Sequence, residues 1–159
     1  MRLSGTCGSK GTSVTFMVNF TVYGEPQGKA RPRFRKVGNF VQTYTPQKTK
    51  SYEDEIRMFA KAAMGSSKPL ETPVALYLYI RKGIPASYTK KRRNDCLSGI
   101  NKPTVTPDLD NCLKVFMDAM NGIVYLDDKQ IVSINCEKVY SEISGVDVLV
   151  KEHGNIQTL

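Results

Sequence analysis

The segment TPDLDNCLKVFMDAMNG, from Thr106 to Gly122, most constrains how this chain can fold, because it reads as one bounded helix with a side that must be buried. Pro107 leads into the helix start, Asp108 is placed to cap it, and Asn121-Gly122 ends it. Leu109, Leu113, Phe116, Met117 and Met120 form an apolar stripe that requires a partner surface. On the opposite side Asp110, Lys114 and Asp118 follow at four-residue spacing and share a polar face.

The remaining pattern supplies candidate partners. Residues 1–14 mix Gly, Ser and Thr without hydrophobic period and read as a flexible tail, so a single domain is expected over residues 15–159, a length that suits one core. Phe16 to Tyr23, FMVNFTVY, has the aromatic and β-branched content of a strand and runs into a loop at Gly24, Pro26 and Gly28. The basic stretch GKARPRFRKVGNF is a loop or hairpin turning near Gly38-Asn39, and VQTYT is a short strand. Pro46 opens a helix to about Met64, with Tyr52, Ile56, Phe59, Ala60 and Ala63 on one face. PVALYLYIRKG reads as a buried central strand, and Ser87 is a candidate cap for a second helix, SYTKKRRNDCL. After IVY and the turn LDDKQ, the runs IVSINCEKVYSE and GVDVLVKE are expected as a hairpin around Ser144-Gly145.

The formal net charge of +8 points to a polyanionic partner, since clustered Lys and Arg gain affinity by releasing counterions from phosphates. Two clusters carry that charge: Lys29, Arg31, Arg33, Arg35 and Lys36 around Phe34, and the run Lys90, Lys91, Arg92, Arg93. Each also reads as a solvated surface, and Phe34 as a core residue. Cys7, Cys96, Cys112 and Cys136 lack C-x-x-C spacing, so zinc and thioredoxin-like chemistry lose support and free thiols are expected. One histidine, His153, close to the C-terminus, disfavours histidine-dependent hydrolysis. Neither a phosphate-cradling G-x-x-x-x-G-K loop nor a dinucleotide fingerprint is present, so no nucleotide cofactor is expected. With no apolar run near eighteen residues, no membrane association is expected and a cytoplasmic location is.

The acidic residues are the candidate chemistry. Phosphodiester hydrolysis needs a nucleophile at neutral pH and neutralisation of charge on the transition state, and a divalent ion on carboxylates supplies both. Asp108 and Asp110 flank a helix start, and Asp127 or Asp128 can complete an ion site from the later turn. Lys114, one turn beyond Asp110, can reach a phosphate oxygen or simply pair with Asp110. By spacing alone, a helix cap beside a surface turn explains these aspartates equally well.

Read in order, the motifs resemble the RusA family of Holliday junction resolvases of bacteria and their phages. The resemblance runs through Val22-Tyr23-Gly24-Glu25-Pro26, Arg31-Pro32-Arg33, Pro107-Asp108-Leu109-Asp110-Asn111 with Lys114, Asp118-Ala119-Met120-Asn121-Gly122, and Asp127-Asp128-Lys129-Gln130-Ile131, covering roughly Met17 to Glu152. It implies an α+β fold, a small mixed sheet packed with helices, acting as a homodimer. It implies catalytic and metal-holding carboxylates at Asp108, Asp110 and Asp128, with Asp127 the less certain member, and an essential Lys114. The implied cofactor is Mg2+, with Mn2+ as an alternative. The implied activity is paired, symmetric cleavage of four-way DNA junctions in recombination and repair. An endonuclease for flaps or forks, and a non-catalytic DNA-binding protein, are the alternatives.

Overall fold

The computed structural model describes residues 15–154. The tail expected over residues 1–14 lies outside the described residues. Along the chain come β1 (Met17–Tyr23), β2 (Arg33–Val37), β3 (Phe40–Tyr44), α1 (Gln47–Met64), β4 (Val74–Gly83), α2 (Lys90–Leu97), α3 (Leu109–Met120), a 3-10 turn (Asp128–Gln130), β5 (Ile131–Ser141) and β6 (Gly145–Glu152). Four strands form one sheet in the order β1-β6-β4-β5, while β2 and β3 pair separately. Only β4 and β5 run parallel, so the sheet is mixed and the fold is α+β, as the resemblance implies. Among the described residues no helix is long and apolar enough to cross a membrane.

Alternation along the strands decides which face is covered. Leu76, Leu78 and Ile80 of β4, Val146, Val148 and Val150 of β6, and Val18 and Val22 of β1 are buried beneath the helices. Tyr77, Tyr79 and Arg81 of β4 point to the uncovered face. The helices meet over the sheet: Tyr52, Ile56, Ala60 and Met64 of α1 and Val115, Phe116, Ala119 and Met120 of α3 all enter the core. Their central contact sets the rings of Tyr52 and Phe116 edge to face, 6.0 Å between centroids.

Four expectations change. In α1, Thr49 and Met64 are buried while Phe59 is half-buried and Ala63 exposed. In α3 the buried side is turned toward Cys112, Val115 and Ala119, and Leu109 is 40% exposed. The reason is steric: α3 contacts both α1 and β5, and small residues allow that close approach. The cap of α2 is Thr89, which accepts from the Arg92 N–H, rather than Ser87. Finally, β5 and β6 are not a hairpin, because β4 lies between them. The link from Ser141 to Gly145 crosses the end of β4 at Gly83, where a Cβ would meet the Glu25 carboxylate and lie 3.7 Å from the Cβ of Ser144.

Candidate active site and nucleic-acid interface

The start of α3 is fixed from two sides. On one, the Lys138 ammonium, projecting from β5, donates to the carbonyls of Val105 at 2.8 Å and Pro107 at 3.0 Å. On the other, Gln27–Lys29 lies against the helix: the Lys29 N–H donates to Asn111 O at 3.0 Å, and the Cys112 thiol to Gln27 O at 3.7 Å. Gly28 permits this approach, since a Cβ there would stand 3.0 Å from the Cβ of Asn111 and 3.2 Å from that of Pro107. The Thr106-Pro107 peptide within this loop is cis.

Asp108 occupies the cap position with extended backbone, yet its carboxylate makes no capping hydrogen bond. It accepts only a long bond, 3.4 Å, from the Asn111 amide. Asp108 and Asp110 are both exposed, at the N-terminal end of the helix. Lys114 is also exposed, and neither it nor Asp110 joins an ion pair with the described residues, so the intrahelical pair weighed from spacing is not formed. Asp118 is held by Lys29, whose ammonium also lies 3.7 Å from Glu53.

The later acidic pair divides its labour. Asp127 caps the 3-10 turn by accepting from the Lys129 N–H at 3.0 Å, while its own N–H donates to Gln130 Oε1 at 2.9 Å. That backbone hydrogen bond from Lys129 holds the Asp127 carboxyl below its ordinary range. The Gln130 amide then ties the turn to Leu70 O at 2.8 Å and Thr72 O at 3.0 Å. The Asp128 carboxylate makes neither capping bond, although its contact with the Asp127 carboxyl also lowers the latter. Burial, then the carboxylates of Asp128 and Asp118, raise the pKa of the Tyr125 hydroxyl, which donates to Met117 O at 2.8 Å. The turn and the third turn of α3 therefore share one electrostatic neighbourhood.

As donors, Asp108, Asp110 and Asp128 suit a hard divalent ion, being all carboxylate oxygen. They do not close into a ready cage: among the described residues no three Asp, Glu, His or Cys side chains are grouped to hold a metal.

The expected basic residues separate into three groups. Lys29 is engaged by carboxylates. Arg31, Arg33, Phe34, Arg35 and Lys36 are all exposed, and β2 is one strand of a hairpin with no buried position. On α2, Lys90, Lys91 and Arg92 are exposed and Arg93 is half-buried, with the Arg92 guanidinium 3.8 Å from the Tyr88 ring centroid. A groove of about 460 Å3 connects the hairpin root to Pro107 and is lined by Arg33, Lys48 and Lys82, of which Lys82 pairs with Glu25 at 2.8 Å. Lys48, Lys82 and Lys138 escaped the sequence reading. For Lys48 the signal was available, a cation in the first turn after Pro46; Lys138 reaches its carbonyls only through the parallel pairing of β5.

The sequence profile of the family described as Endodeoxyribonuclease RusA matches residues 23–151. The chain is also similar to an uncharacterized protein, YqaN, of Bacillus subtilis (strain 168): 32% identical over 137 residues, covering 85% of this chain and 96% of that protein.

Proposed function

This chain belongs to the RusA endodeoxyribonuclease family, and on that premise we propose that it is a divalent-metal-dependent endonuclease that resolves four-way DNA junctions as a homodimer. The observation that carries the reading is Asp108: a residue in the cap position whose carboxylate does not cap is available for other work. Asp110 lies two residues on, and Asp128 is the member of its pair whose carboxylate does not cap the turn. In this reading Asp108, Asp110 and Asp128 hold Mg2+, or Mn2+ in its place. The ion would supply an activated water for in-line attack on phosphorus and offset charge on the transition state.

The chain's own cations do the rest. Lys114, exposed and four residues beyond Asp110 on α3, would offset the negative charge that develops on the phosphoryl or leaving oxygen. Arg33 and Lys48 line a groove that leads a backbone toward Pro107 and the acidic start of α3. Two strands must be cut symmetrically in a four-way junction, and a two-fold dimer presents two such sites.

The test is cleavage of mobile and fixed four-way junctions, forks, flaps and linear duplex with Mg2+. Junctions are expected to be cut in symmetric pairs, leaving 5′-phosphate and 3′-hydroxyl ends, with duplex left intact. Preferential cutting of forks or flaps would transfer the reading to branched DNA at large, and equal cutting of duplex would end it. Asp110→Asn is expected to abolish cleavage while junction binding is retained or strengthened, because a ligand and a negative charge facing phosphate are both removed. Unchanged cleavage would show the site to be elsewhere.

A further inference from the structure

The hairpin formed by β2 and β3 is built unlike the rest of the molecule. All ten of its strand positions are exposed, among them Phe34 at 74%, Phe40 at 80% and Val41 at 69%. An isolated two-stranded ribbon is marginally stable in water, and large apolar side chains on its outside add a further cost unless something covers them. Its turn is Gly38-Asn39, with Gly38 at φ 61 and Asn39 not in the left-handed region, the II′ pattern that suits a two-residue hairpin.

Register fixes the two faces. Directly paired residues share a face, so Val37 with Phe40, Arg35 with Gln42, and Arg33 with Tyr44 point one way. Lys36 with Val41, and Phe34 with Thr43, point the other. Each face therefore carries an exposed phenyl ring and at least one cation. The root adjoins the candidate active site, since Gln27–Lys29 packs on the start of α3 and the cationic groove runs from Arg33 to Pro107.

Charge selects the occupant. From Pro26 to Tyr52 the chain carries seven Lys and Arg residues and no Asp or Glu. Two such segments brought together across a two-fold axis would oppose like charges. A nucleic acid satisfies both halves of the surface, phosphates taking the cations and the π-faces of bases taking the rings. In continuous duplex those faces are stacked; at a branch point they can be exposed.

We propose that the β2–β3 hairpin enters branched DNA at its branch point, with Phe40 and Phe34 stacking on bases from opposite faces of the ribbon while Arg33, Arg35 and Lys36 hold the flanking phosphates. This deepens the endonuclease reading and rests on it. The hairpin is then the element that recognises a branch.

The experiment uses the full chain, a four-way junction with 2-aminopurine at the branch point, and Ca2+ in place of Mg2+ so that binding is read without cutting. Wild type is expected to raise the 2-aminopurine fluorescence on binding. In the Phe34→Ala/Phe40→Ala variant that rise is expected to disappear and Mg2+-dependent junction cleavage to fall roughly ten-fold or more, with Trp at both positions restoring the rise. Because both rings are exposed, the variant retains its core, which circular dichroism checks. Arg35→Gln is expected to keep the rise and reduce the slope of log affinity against log salt by about one. A double variant with undiminished fluorescence rise and wild-type cleavage overturns this proposal and leaves the endonuclease reading standing. A double variant that turns a dimer into a monomer also overturns it, marking the rings as a contact between copies. A wild-type chain that binds no branched DNA removes the parent reading and this one with it.

Discussion

At the scale of single residues, the aspartates divide by what their oxygens already do. Asp127 caps a turn, and its carboxyl is held below the ordinary range by the Lys129 N–H, so its capping contribution is complete above the unfolded pKa and is lost as pH falls through the folded one. Asp127→Ala is expected to lower the melting temperature at neutral pH while leaving measurable cleavage. Asp128→Asn is expected to do the reverse, removing cleavage with little change in melting. Thermal melts paired with junction assays compare the two, and loss of cleavage in Asp127→Ala without loss of stability would exchange their roles. The same reasoning makes Cys112 a packing residue despite its place one turn into the acidic helix. Burial pushes its thiol up to about 12, and the thiolate is the reactive form. Iodoacetamide at pH 8 is expected to leave Cys112 unmodified in the folded protein and to label it after denaturation, as read by peptide mass spectrometry; labelling in the native state would contradict that environment.

At the scale of elements, the start of α3 depends on a strand distant in sequence. Lys138→Met deprives the Val105 and Pro107 carbonyls of their shared donor. The expected result is a cleavage rate reduced about ten-fold or more, junction affinity nearly unchanged, and partial recovery in Lys138→Arg; equal loss of binding and rate would point to a phosphate contact instead. Elements whose signal is local were legible in the sequence. Pro46 and the four-residue spacing of Tyr52, Ile56 and Ala60 announce α1, and the run ending at Asn121-Gly122 announces α3. Asp108, Asp110 and Lys114 could be singled out because a helix start and its spacing are local facts. What could not be read depends on partners. The rotation of α3 toward Cys112 and Ala119 follows from its contacts with α1 and β5, and the insertion of β4 between β5 and β6 follows from pairings across the sheet. Neither Lys138 nor the division between Asp127 and Asp128 has a periodic signature, since each is set by which carbonyl or amide lies within reach.

At the scale of the whole molecule, core and candidate site are separable. Valines, aromatic rings and helix faces close the interior, and protein hydrogen bonds fix both acidic segments. EDTA is therefore expected to stop cleavage while the chain still melts in one cooperative transition. Mg2+ at ten times its Kd is expected to add about 1.4 kcal/mol by linkage, roughly 3–6 °C in melting temperature. Differential scanning calorimetry reads this, and an equal shift in Asp110→Asn would mean that the ion binds elsewhere. The interposed strand has one more consequence, for synthesis. Both neighbours of β4 come later in the chain: β5 begins at Ile131, and β6, which also pairs with β1, begins only at Gly145. A nascent chain leaving the ribosome can form α1 early, but β1 and β4 remain open edges until the last strand emerges and joins them. A chain cut short before β6 is therefore expected to lack the pairing that joins β1 to β4 and to be exposed to proteases and aggregation. In a protein that breaks DNA, the order of strands doubles as a check that translation has run through the sheet.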